Sequence, residues 1–142
     1  MIEKERKYIF KGNLEDFKHL PKEDIKQGYF INKDKFKGRV RIYDNRKAYI
    51  TTKENTNVSD ERIELEESVS VEFALSLLPY CDSVIRKTRY YYTSNITIDE
   101  FHDIDLKLVE IEGDLPETLP SFLGEDVTNN SYYKNKNLSK LA

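Results

Sequence analysis

The 142-residue sequence has one cysteine, Cys81, and two histidines, His19 and His102, far apart in the chain. A single thiol excludes an intramolecular disulfide and a multi-cysteine metal knuckle, and so few histidines argue against a His/Cys zinc site. The five glycines stand singly, at 12, 28, 38, 113 and 124, so no G-x-x-x-x-G-K or G-x-G-x-x-G phosphate loop can be written. No apolar run approaches the ~18 residues of a membrane-spanning helix. The charged opening, Met-Ile-Glu-Lys-Glu-Arg-Lys, stands where a signal peptide needs apolar residues, and a cytoplasmic location is expected. A net charge of −3, from 23 Lys+Arg against 26 Asp+Glu, argues against a basic nucleic-acid clamp. Ten Tyr and seven Phe supply the large apolar bodies that a disordered chain lacks. The length fits one domain, 1–142, with a buried core. Any bound metal must be held by carboxylates, which favours Mg²⁺ or Mn²⁺.

Period-2 alternation predicts strands near 2–10, 27–31, 37–44, 47–53, 62–68, 84–93, 96–101 and 107–112. Helical spacing predicts helices over 13–25 and 70–81, with Asn13 and Ser70 as N-caps and Pro21 breaking or kinking the first. A short helix is expected after Pro116 and another from about Tyr132 to the end. The fold class is mainly β with flanking helices, a closed eight-stranded antiparallel barrel or a strongly curved sheet.

Side chains two apart on a strand share a face. Glu3, Glu5 and Lys7 share one, as do Arg39 with Arg41, Thr51 with Lys53, and Glu64 with Glu66. Lys87 with Arg89 and Glu110 with Glu112 repeat the pattern. Ordinary half-solvated sheets also present charge to water. Here, however, same-sign pairs recur, and helices packed outside a barrel would turn the charges inward, into a polar tunnel. Six acids facing six bases could form a salt-bridge network, though such networks add little stability. Carboxylate pairs suit divalent cations, and Arg/Lys pairs suit a polyanion with several phosphates.

The motifs Glu3-x-Glu5-x-Lys7, Gln27-Gly28-Tyr29-Phe30, Arg39-Val40-Arg41, Thr51-Thr52-Lys53, Glu64-Leu65-Glu66, Lys87-Thr88-Arg89, Asp99-Glu100-Phe101 and Glu110-Ile111-Glu112 occur in this order. Together they resemble the CYTH superfamily, the triphosphate tunnel metalloenzymes, along essentially the whole chain. The resemblance implies a metal-dependent hydrolase with Mg²⁺ or Mn²⁺. It also implies Glu3, Glu5, Glu64, Glu66, Glu110 and Glu112 as metal-site acids. Lys7, Arg39, Arg41, Lys53, Lys87 and Arg89 are implied as substrate-binding residues, with Asp99 a weaker candidate. Lys87, Glu5 and Glu112 are the expected catalytic set, with Lys87 or a metal-bound hydroxide as the base that prepares water for in-line attack. Inorganic tripolyphosphate, cleaved to diphosphate and phosphate, is the preferred substrate. An adenylate cyclase of the class IV type and a polyphosphate- or nucleotide-binding module without turnover are the alternatives. Tyr29 reads more readily as packing than as a tunnel residue, and Cys81 as an inert thiol.

Overall fold

The computed structural model describes residues 5–57 and 62–138. Nine strands form one antiparallel sheet: β1 (Glu5–Phe10), β2 (Lys22–Lys33), β3 (Phe36–Tyr43), β4 (Lys47–Asn55), β5 (Arg62–Val69), β6 (Ser83–Tyr91), β7 (Ile96–Phe101), β8 (Lys107–Glu112) and β9 (Leu123–Asp126). The spatial order is β5-β4-β3-β2-β6-β7-β8-β1-β9. Helix is confined to α1 (Val71–Leu77), α2 (Asn135–Leu138) and short 3-10 turns at Leu14–Phe17, Leu78–Tyr80 and Ser131–Tyr133.

The fold is therefore mainly β, but the described strands do not close into an eight-stranded barrel. β9 occupies the outer edge of β1, and β5 is the other edge, with no pairing between the two. Seven of the eight β5 residues are exposed, and Glu64, Glu66 and Glu67 put charge along that edge, a pattern that disfavours adding a strand. The helix expected over 13–25 is also overturned. Asn13 caps only one 3-10 turn, and β2 starts at Lys22, where Ile25, Gln27 and Tyr29 alternate into the sheet. The stretch after Pro116 holds the strand β9 in place of a helix.

Two apolar clusters cover the face of the sheet opposite the charged one. Val40, Ile42 and Ala48 from β3 and β4 pack beneath Ala74, Val71, Leu77 and Leu78 of α1 and the turn after it. Tyr8, Phe10, Ile96, Ile98, Val109 and Ile111 pack with Leu14, Phe17 and Phe122. Gly28 of β2 makes the first of these fits possible, because a Cβ there would come within 2.6 Å of Cys81 Sγ. The helix and loops thus hold the outer face, and the charged residues take the other.

Candidate active site

Strand register puts the charged residues on one face. Glu5 stands opposite Glu112 and Lys7 opposite Glu110, and Thr97 faces Glu110 from the other side. Arg89 stands opposite Asp99 on one side and Glu23 on the other. Gln27 faces Arg41, and Tyr29 faces Arg39. Arg39 in turn faces Thr51, which faces Glu66, while Lys53 faces Glu64. Directly opposed residues share a face, so these pairings chain the sites of eight strands, β1 to β8, onto a single surface. Gln27, Thr51, Lys87 and Asp99 on this surface are all nearly inaccessible to solvent, although α1 and the Leu14–Phe17 turn lie on the other side. A face that buries polar groups while, among the described residues, only the C-terminal segment crosses one end of it is concave.

At its centre lies a buried charge cluster. Asp99 and Lys87 have side chains 0% exposed, with Lys87 Nζ donating to Asp99 Oδ2 at 2.7 Å. Arg89 grips the same carboxylate with two donors, Nε to Oδ1 at 2.8 Å and Nη2 to Oδ2 at 2.9 Å, and reaches Glu110 Oε2 at 3.4 Å. Burial pushes the Lys87 ammonium down to about 8, against the pull of Asp99. Burial would raise the Asp99 carboxyl, but Lys87 and Arg89 hold it well below the usual carboxylate range. Arg89 is raised, Asp99 overcoming its desolvation.

The acids divide into two groups. Glu5, Glu110 and Glu112 sit together on β1 and β8, where Lys7 Nζ lies 3.8 Å from both Glu5 and Glu110. Glu110 is buried, and Lys87, Arg89 and Lys7 lower its carboxyl despite burial and the nearby Asp99 charge. Glu64 and Glu66 are exposed on the edge strand β5, where Thr51 Oγ1 donates to Glu66 Oε1 at 2.9 Å. Glu3 lies outside the described residues. Among the described residues no three metal-ligating side chains already converge on one point. The oxygen donors of Glu5, Glu110 and Glu112 nonetheless suit a hard divalent ion, and the opposed Glu5/Glu112 carboxylates gain from a cation between them.

Between the two acid groups runs a band of cations. Arg39 has a buried Nε with no hydrogen-bond partner among the described residues. Burial lowers the Arg39 guanidinium, and Arg41 beside it adds to the effect. Arg41 donates through Nε to Gln27 Oε1 and through Nη1 to Tyr43 Oη at 3.2 Å. Gln27 Nε2 in turn donates to Tyr29 Oη. A buried arginine donor with no acceptor, in a band of like charges, is suited to receive an anion.

One end of the concave face is apolar. Ile85, Phe101 and Leu108 meet Val127 and Leu138 of the C-terminal segment, and Lys7 Nζ donates to the Tyr133 carbonyl at 3.1 Å. Sequence reasoning placed Gln27 in a motif and at the start of a strand over 27–31 but gave it no role, since its face is set only when β2 is read from Lys22. It gave Tyr29 to packing and left Asp99 marginal, although alternation with Phe101 and Thr97 marks its face.

No family model matches the chain. The crystal structure of a hypothetical protein shares 27% identity and a TM-score of 0.67, covering 96% of this chain and 97% of that one. A protein from Pyrococcus horikoshii OT3 shares 26% identity and a TM-score of 0.54, with 80% of each chain covered. A curated protein of Acetivibrio thermocellus named inorganic triphosphatase is 37% identical over 148 aligned positions, covering 96% of this chain and 92% of its own. Identity of that level along nearly the whole of both sequences means that the chain belongs to the family of that inorganic triphosphatase.

Proposed function

We propose that the protein hydrolyses inorganic tripolyphosphate to diphosphate and phosphate, as a metal-dependent member of the CYTH superfamily. The observation that carries this reading is the cation band. Arg39 has an orphaned buried donor, and Arg41, Lys87 and Arg89 share its face, beside acids grouped on β1 and β8. The likeness to a named inorganic triphosphatase supports it.

Cleaving a phosphoanhydride asks the protein for positioning and charge compensation. Arg39 offers its orphaned Nε and Arg41 its remaining Nη2 to phosphate oxygens, Arg89, whose fork grips Asp99, adds charge beside them, and Lys7, Lys53 and Lys87 offer point charges. Asp99 keeps Lys87 and Arg89 in place. Lys87 serves as a cation, because its ammonium already donates to the Asp99 carboxylate. Glu5, Glu110 and Glu112, with Glu3 implied by the sequence, would hold Mg²⁺ or Mn²⁺. Such an ion, when bound, supplies charge neutralisation at phosphate oxygens and a more acidic water. Water then attacks a terminal phosphorus in line and loses its proton to solvent, and the bridging oxygen leaves on diphosphate with the bonding electrons.

The test is incubation with Mg²⁺ or Mn²⁺ and tripolyphosphate, ATP or thiamine triphosphate, followed by product separation. Phosphate plus diphosphate from tripolyphosphate supports the proposal. Cyclic AMP plus diphosphate from ATP would replace it with a cyclase, and tight binding with no product would leave a binding module.

A further inference from the structure

The hydrogen-bond chain Arg41–Gln27–Tyr29 has a fixed direction. Arginine has donors and no acceptor, so the Gln27 atom facing Arg41 Nε must be its carbonyl oxygen. The chemistry of the pair thus fixes the amide orientation. The Gln27 amide nitrogen must then face Tyr29 and donate to its oxygen. The Tyr29 hydroxyl proton is thereby left over. Among the described residues Tyr29 has no hydrogen bond in which it donates, and its side chain is buried on the concave face opposite Arg39 in register. Arg39 presents its own orphaned Nε on the same face. Two unmet donors, one neutral and one cationic, thus stand on paired positions of β2 and β3.

We infer that Tyr29 donates its hydroxyl hydrogen to a phosphate oxygen of the triphosphate, next to Arg39, and that Gln27 is the positioning residue that turns this proton outward. The inference rests on the proposed triphosphate reading of the same cavity. Burial raises the Tyr29 phenol above its ordinary value, so it stays protonated and able to donate at neutral pH. A phenol hydrogen also adds a directed bond without adding charge to a band where Arg39 and Arg41 already repel each other.

The experiment compares wild type, Tyr29→Phe, Gln27→Glu and the double variant on tripolyphosphate with Mg²⁺, reading KM, kcat and thermal midpoint. Tyr29→Phe keeps the ring and should raise KM about tenfold, the usual scale for one lost hydrogen bond, with kcat within about twofold and no loss of thermal midpoint. In Gln27→Glu the ionised carboxylate accepts only, so it would keep Arg41 and draw the Tyr29 proton inward. Gln27→Glu should therefore raise KM as well, and adding it to Tyr29→Phe should add much less than it does alone. An unchanged KM in Tyr29→Phe overturns the role of Tyr29. Full additivity in the double variant overturns the role of Gln27. Wild type that binds tripolyphosphate without cleaving it overturns hydrolysis alone. The comparison is then made on Kd by calorimetry, where equal Kd for wild type and Tyr29→Phe overturns the inference.

Discussion

Asp99 is the side chain on which most of the buried charge depends. It is the shared acceptor for Lys87 and Arg89, with its own side chain and that of Lys87 fully buried. Removing one partner of a buried ion pair strands the other, typically at about 3–5 kcal/mol. Asp99→Asn should therefore destabilise the protein by that order at neutral pH, measured by urea unfolding. The sign with pH follows from the depressed carboxyl. An unfolded aspartate titrates near pH ~4, so the stability from Asp99 is full above that pH and is lost as pH falls towards the lower native value. The acid limb of the stability curve should flatten in Asp99→Asn, and an unchanged limb would mean that Asp99 is not the titrating group. Lys87 gives a second sign. With its ammonium pushed down to about 8, the free enzyme loses a phosphate-binding charge as pH rises through that value. kcat/KM for tripolyphosphate should fall there, and Lys87→Arg should move the fall to higher pH. A rise through pH 8 would instead identify the neutral amine as the base.

At the scale of elements, alternation exposed most strands and the charged face, because period 2 survives wherever one side meets apolar residues and the other polar ones. Val40 and Ile42 against Arg39 and Arg41 are the plainest case, and both halves of that reading are found in β3. The segment 13–25 misled because Leu14, Phe17 and Leu20 do cluster, yet they cover the outer face from a single 3-10 turn and a loop. β9 was hidden since its four residues are paired only along one edge of β1. Ser70 was legible as a cap, and its hydroxyl accepts from Phe73 N at 3.0 Å. Ser70→Ala should cost about 1 kcal/mol in denaturant unfolding. Gly28→Ala should cost more than Ser70→Ala, since its new methyl meets Cys81 and Leu78 within 3.1 Å and the turn Leu78–Tyr80 must move off β2. Equal stability of Gly28→Ala and wild type would mean that this turn yields at no cost.

Over the whole molecule the charges are sorted, with acids on β1 and β8, cations on β6 and β3, and further acids on the β5 edge. Sorting of this kind raises the energy of the free protein where like charges face each other, and ligands of opposite sign recover it. Glu5 and Glu112 are directly opposed on one face, a pairing that disfavours the metal-free fold. A divalent ion that binds only the native state stabilises it by an amount set by its concentration, about 2.7 kcal/mol at a hundred times Kd. Mg²⁺ or Mn²⁺ should therefore raise the thermal midpoint of the wild type, and Glu5→Gln or Glu112→Gln should shrink that rise. In EDTA Glu112→Gln should leave the midpoint unchanged or higher, because one of two repelling charges is gone, whereas Glu5 also faces Lys7 at 3.8 Å. Activity should fall at least tenfold in each, about 1.4 kcal/mol of transition-state stabilisation, with part of the loss restored by excess metal. Hydrolysis at the full rate in EDTA would remove the ion from the reaction. A large drop in midpoint for Glu5→Gln in EDTA would show that Glu5 serves the ion pair with Lys7 in the metal-free fold.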